Sequence, residues 1–221
     1  MSFDLRPHLK GELVELRPLT PEDWDALFAV ASDALIWEQH PESDRYKEAV
    51  FKVFFVEAVE SGGAFVVIDN KNQQIIGSTR FYGYDPEKSE IEIGWTFLAR
   101  KYWGGRYNQE MKRLMLAHAF KVVENVVFYV GDTNIRSQKA MEKIGASKIG
   151  MVTRAYGNHP PTRNVKYLIN KPLETCEGWP AVTDRRYSAN ANGYSLLYSP
   201  RHPVSRYSSW CPAPYSLSWS R

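Results

Sequence analysis

Between Ala64 and Ala99 the chain reads in period two. The runs AFVVID (64–69), QIIGSTRFYGY (74–84) and EIEIGWTFLA (90–99) are strand-like, and Asn/Lys and Asp-Pro turn signals separate them. Connections this short join antiparallel neighbours, so this block commits the chain to a meander. The period then changes. A glycine turn, Trp103-Gly104-Gly105, leads into a helix from about Tyr107 to Val122, whose stripe runs through positions 107, 111, 114, 115, 118 and 122. VVFYV (126–130) follows as a short, fully apolar strand of the kind buried at a sheet centre. Asn134 caps a helix through Lys143 that Gly145 ends, and strands are expected over Ser147 to Tyr156 and Asn164 to Asn170.

Ahead of the meander, Leu13 to Leu19 alternates as a strand. Thr20-Pro21-Glu22-Asp23 starts a helix to about Ser32, and a second helix spans Asp44 to Glu60 and stops at Gly62-Gly63. The order is strand, two helices, three strands, helix, strand, helix, two strands, which makes the fold class a mixed α/β (α+β) one. The folded domain is expected over residues 1–173. The segment 174–221 reads as disordered: from Tyr187 onward it has no carboxylate, no lysine and no sustained period. Two readings of it stand open, a non-native tail that selection for folding did not shape and a partner-binding arm.

Twenty-eight basic against 25 acidic residues give a net charge of +3, too small for a protein that wraps DNA, though welcoming to an anionic ligand. No uninterrupted apolar stretch approaches the ~18 residues of a membrane span, and the start MSFDLRPHLKGELVEL lacks a signal-peptide core, so a cytoplasmic protein is expected. Both cysteines, Cys176 and Cys211, fall in the last quarter, which removes a cysteine nucleophile and a Cys-based zinc site from the main body. No His, Asp and Glu cluster has metal spacing, so no metal is expected. Neither GxxxxGK nor GxGxxG occurs, so nucleotide hydrolysis and dinucleotide redox chemistry lack their signatures.

From EIGWTFLARKYWGGRYNQEMKRLML through NVVFYVGDTNIRSQKAMEKIGA the chain resembles the GCN5-related N-acetyltransferases (GNAT), in the branch similar to the RimJ/RimL protein N-terminal acetyltransferases. The resemblance covers about Gly11 to Lys171. It implies a mostly antiparallel mixed sheet with helices on both faces, a splayed groove, acetyl-CoA as co-substrate and an amine as acceptor. There are departures. Trp103, Arg106 and Asn108 stand where the wider family places Gln or Arg, Gly, and Gly or Ala. Met141 stands where much of the family has a tyrosine general acid.

Candidate residues follow. A glycine turn leading into a helix presents unpaired N–H groups at a positive dipole end, so Gly104, Gly105, Arg106, Tyr107 and Asn108 are the candidates for the coenzyme A pyrophosphate. The resemblance implies that the backbone at Phe97 and Leu98 pairs with the pantetheine arm, in the manner of an added strand. Glu90 and Glu92 share one strand face. Glu92, nearer the expected groove, is the candidate base for an N-terminal amine of pKa about 7.7 to 8, although both also fit as solvent-face carboxylates. Asn134 and Ser137 are candidates for holding the thioester and receiving the thiolate, and fit equally as a helix cap and a hydroxyl bonded to its own helix. Trp37, His40, Arg80 and Tyr82 are candidates for the acceptor pocket, and His118 reads as packing. An N-acetyltransferase acting on a protein N-terminus or small amine leads. A non-catalytic acyl-CoA-binding or sensor module and, further behind, a nucleic-acid-binding protein are the alternatives.

Overall fold

The computed structural model describes residues 2–156 and 159–172. The meander is present as β3 (Ala64–Asp69), β4 (Gln74–Asp85) and β5 (Glu90–Leu98), paired antiparallel in succession. On one side β2 (Val14–Pro18) and a two-residue β1 (Leu9–Lys10) extend it. On the other lie β6 (Asn125–Gly131), β7 (Ser147–Arg154) and β8 (Thr162–Asn170), giving one eight-stranded sheet in the order β1-β2-β3-β4-β5-β6-β8-β7. Every pairing is antiparallel except β5 with β6. The expected mixed, mostly antiparallel α/β class is the one observed. No helix among the described residues is long and apolar enough to cross a membrane. The expected domain boundary at 173/174, the tail and both cysteines lie outside the described residues.

Among the described residues four α-helices flank the sheet: α1 (Trp24–Ala31), α2 (Glu48–Glu60), α3 (Arg106–Ala119) and α4 (Ile135–Lys143). Two helix starts differ from expectation. Residues Pro21–Asp23 form a 3₁₀ turn before α1, closed by a capping box in which Asp23 accepts from the Thr20 N–H at 2.9 Å. Residues Ser43–Tyr46 form another, and the extended backbone of Lys47 (ψ 131°) separates it from α2, so the expected single helix from Asp44 begins at Glu48.

The sheet divides the core in two. Met111, Met115 and Leu116 of α3 and Met141 of α4 pack with Phe81, Ile91, Ile93 and Phe128. Leu27 and Ala31 of α1 and Phe51, Phe54 and Phe55 of α2 pack with Val66, Ile68 and Phe97. Strand alternation sends Ile91 and Ile93 to the α3 side and Glu92 to the α1–α2 side. One long-range contact anchors α3: Glu110 accepts the backbone N–H groups of Glu12, Leu13 and Val14 at 2.9, 2.6 and 2.9 Å.

Two irregularities shape the site. β5 and β6 pair only from Glu90–Asn125 to Glu92–Val127; beyond that β5 stays with β4 to Leu98 while β6 stays with β8 to Gly131, so the sheet opens as a wedge. The β4–β5 register also shifts between Ser78–Phe97 and Arg80–Gly94, a one-residue bulge in β5 at which Trp95 takes φ +50°. A positive φ is costly for a residue with a bulky side chain, so the surroundings must hold Trp95 there.

Candidate active site

At the wide end of the wedge stands the turn before α3. Gly104 takes φ +69° and Gly105 is the N-cap, with no side chain bonded to the first-turn N–H groups. A Cβ added to Gly104 would meet nothing within 4 Å, and one added to Gly105 only the Trp103 carbonyl at 3.9 Å, so the loop stands clear of the protein. Exposed N–H groups, a fourteen-residue helix and an open approach fit a phosphate. Arg106 is exposed and Asn108 half-buried beside it. Tyr107 turns inward, its hydroxyl donating to Asp69 at 3.3 Å, which leaves its backbone N–H for a ligand. From across the wedge the Arg136 guanidinium lies 4.0 Å from the Trp103 ring centre and donates to the Ile36 carbonyl at 2.8 Å. Sequence periodicity carried no signal for Arg136.

The two backbone candidates on β5 separate. Ala99 N–H donates to Ile76 and Phe97 opposes Ser78, so the main chain of Phe97 is spent on β4. Its side chain is core, 5.0 Å from Trp37 between ring centres. Phe97 is therefore corrected from a backbone partner of a ligand to a packing residue. Leu98 lies between these bonded pairs, and its N–H and C=O face the wedge, the carbonyl accepting from Trp103 Nε1 at 2.8 Å.

On the α1–α2 side of the bulge, Glu92 is 4% exposed. One carboxylate oxygen accepts from Arg154 at 3.0 Å and the other from the Tyr156 hydroxyl at 2.8 Å. Burial raises its pKa above the usual carboxylate value, opposed by Arg154 and by the Tyr156 hydrogen bond. Burial and the Glu92 charge raise the Tyr156 phenol as well, so it stays protonated as a donor. Glu90 shares this face and pairs with Lys166 at 3.3 Å. Trp95 packs 4.9 Å from the Tyr156 ring and 5.1 Å from that of Tyr82, which is part exposed. Arg80, 4% exposed, lies between Trp95 (4.6 Å) and Phe54 (5.7 Å), and its Nε and Nη2 have no hydrogen-bond partner among the described residues. Burial lowers its pKa to about 10.

Directly across the bulge, Lys112 of α3 extends its ammonium into the α3 face. It donates to Thr96 Oγ1 at 2.6 Å and Thr79 Oγ1 at 3.3 Å, and sits 5.8 Å from the Phe128 ring centre. It is 2% exposed, and burial brings its pKa down to about 7.

The remaining candidates have structural duties. Trp37 is buried and donates Nε1 to the Ala31 carbonyl at 2.7 Å, which corrects it to a core residue. His40 accepts the Glu42 N–H at Nδ1 at 3.0 Å, which leaves the proton of the neutral ring on Nε2, 3.2 Å from the Arg45 guanidinium; burial and the Arg45 charge lower its pKa to about 3. Asn134 caps α4 by accepting from the Ser137 N–H at 3.1 Å. That geometry is the cap the sequence offered as an alternative, and Ser137 lies one turn into the helix. His118 bonds the Asp4 carbonyl at 2.8 Å against Phe3, a packing role.

Comparison with known proteins bears on the whole arrangement. Residues 14–147 match the family model described as an acetyltransferase (GNAT) domain. The Bacillus subtilis (strain 168) protein YnaD, an uncharacterized N-acetyltransferase, is 26% identical over 145 residues, 65% of this chain and 84% of that protein. The solved structure of a GNAT-family acetyltransferase from Bacillus anthracis shares 23% identity over 74% of this chain and 98% of its own, with a TM-score of 0.61. Mycobacterium smegmatis RimJ in complex with CoA-disulfide shares 16% identity over 71% of this chain and 81% of its own, at a TM-score of 0.53. The family match spans the wedge, the glycine turn before α3 and the bulge together, and takes the enzyme reading over a mere acyl-CoA-binding module or a nucleic-acid-binding protein: the chain belongs to the GNAT acetyltransferases and transfers an acetyl group from acetyl-CoA to an amine acceptor.

Proposed function

We propose that this acetyltransferase works in the manner of the RimJ/RimL branch, on a protein N-terminal α-amine or a small amine, with Glu92 and Tyr156 as its proton exit. The observation that carries this reading is the Tyr156 hydroxyl donating to Glu92 at the apex of the wedge. Glu92 is buried and holds a donor on each oxygen, whereas Tyr156 is only half-buried, so an incoming amine reaches the phenol first. Tyr156 accepts the amine proton as its own passes to Glu92, and Arg154 steadies the carboxylate through the exchange.

Acetyl-CoA supplies the thioester, whose acyl carbon takes the amine nitrogen and whose C–S bond breaks to release the thiolate. Gly104, Gly105 and the N–H groups of Arg106, Tyr107 and Asn108 hold the pyrophosphate, with charge from Arg106 and Arg136. The Leu98 main chain pairs with the pantetheine arm, its carbonyl exchanging the Trp103 indole for a ligand amide. Asn134, whose side-chain oxygen caps α4, is proposed to bond the thioester end of the arm through its amide N–H, and Ser137 offers the thiolate a weak hydroxyl donor where Met141, packed in the core, has none. No acyl-enzyme forms, because the described residues contain no cysteine and give Ser137 no activating base. Initial-rate lines that intersect as both substrates are varied support this; an isolated acetyl-enzyme that proceeds to product refutes it. We further propose that the working domain ends near Leu173, which a chain terminated there tests by folding and turning over as the full chain does. We place the enzyme in the cytoplasm.

A further inference from the structure

On the α1–α2 face each carboxylate near Arg80 already has a partner. Glu42 pairs with Arg45 at 2.7 Å, Glu57 with His159 at 2.7 Å and Glu92 with Arg154 at 3.0 Å. Among the described residues Arg80 has no carboxylate within ion-pair distance, although it is 4% exposed. The rings of Phe54 and Trp95 satisfy its flat faces. They do nothing for its N–H edge, where Nε and Nη2 have no partner among the described residues. That edge is a fork whose geometry matches a carboxylate or phosphate. Leaving two charged donors buried and unsatisfied is costly, and such a cost is retained where a ligand relieves it. Arg80 opposes Gly94 across the β4–β5 ladder and Tyr82 opposes Glu92, so the fork stands one diagonal step from the proton exit on the same sheet face. Trp95 touches both, 4.6 Å from the guanidinium and 4.9 Å from the Tyr156 ring.

We infer that the acceptor is an amine carrying its own anionic oxygen group, a carboxylate or a phosphate a few bonds from the nitrogen, which Arg80 grips while the nitrogen faces Tyr156 and Glu92. This rests on the proposed acetyl-transfer site and adds the class of its acceptor.

The test is initial-rate kinetics of thiol release by the full chain with acetyl-CoA and matched acceptors: β-alanine against β-alaninamide for the carboxylate arm, and phosphoethanolamine against ethanolamine for the phosphate arm. In at least one arm the anionic member is expected to have a kcat/KM roughly tenfold or more above its neutral partner, as loss of a charged hydrogen-bonded pair predicts. Arg80→Met should collapse that ratio towards one through KM for the anionic acceptor, and Arg80→Lys should restore part of it. Equal use of both members in both arms by the wild type overturns the inference while leaving the acetyl-transfer site standing, as does a preference that survives in Arg80→Met. If acetyl-CoA binds by calorimetry yet no amine of either charge releases thiol, the acetyl-transfer site falls and the inference with it. Should Arg80→Met not fold, the wild-type panel decides alone.

Discussion

Lys112 and Arg80 flank the same bulge from opposite faces of the sheet, and the two faces are finished differently. Lys112 meets two threonine hydroxyls, and hydroxyls accept a hydrogen bond from an ammonium or donate one to a neutral amine. With a pKa of about 7 it can shed its charge and remain bonded, so the α3 face is complete without a guest. Arg80 has no such exit: even lowered to about 10 its guanidinium stays charged at neutral pH, and among the described residues its Nε and Nη2 find no hydrogen-bond partner. The same burial that one cation answers by losing a proton the other must answer by finding an acceptor.

Variants on each face should separate these roles. The largest effect is expected of Glu92→Gln, which should lower turnover at pH 7 by roughly 10²-fold, with partial rescue as rising pH supplies deprotonated amine. Tyr156→Phe should fall almost as far if the phenol relays the proton; a mild loss there would mean that the amine reaches Glu92 directly. Next is Gly104→Val, at the one position of the phosphate turn where a positive φ requires glycine. Calorimetry should show coenzyme A binding weakened by more than about tenfold, while Gly105→Ala, on extended backbone, should be milder.

A third effect reads the α3 face through stability. The folded state holds Lys112 near pKa 7 against an ordinary 10.5, so between those values the unfolded chain binds a proton that the folded chain does not. Stability should therefore rise with pH through that window, and Lys112→Met should flatten the rise in denaturant titrations at pH 7 and pH 9. A slope that survives the substitution would place the titration elsewhere. The smallest effect is expected of Ser137→Ala, within about threefold in kcat, because a thiol of pKa near 8.5 departs tolerably unaided. A larger loss would make the hydroxyl the thiolate's proton donor.

Reading the chain by period found β3 to its ends and β4, β5 and β6 to within a residue, because continuous alternation or an unbroken apolar run signals both state and limits. It put Glu90 and Glu92 on one face of β5 for the same reason. It did not see the bulge, since Trp95 takes a conformation normally announced by glycine while Gly94 sits beside it. Lys112 escaped because it adjoins a stripe at 111 and 115 and reads as a surface lysine; its burial comes from three strands brought over it. Arg154 and Tyr156 lie 62 and 64 residues from Glu92, at the end of β7 and two residues beyond it, where the expected strand to Tyr156 has already stopped; β7 reaches β5 only through the order β6-β8-β7, and local pattern carries no such order. Trp37 shows the opposite difficulty, because an aromatic beside a histidine looks the same in sequence whether it faces a pocket or packs in the core.

Glu110 sits one turn beyond Arg106 and holds the amides of Glu12, Leu13 and Val14, almost a hundred residues away in the chain. The first turns of α3 and the start of β2 therefore cannot fray independently. If the proposed turn holds the coenzyme A pyrophosphate, deuterium uptake at Leu13 and Val14, far from it in sequence, is expected to fall when coenzyme A is added.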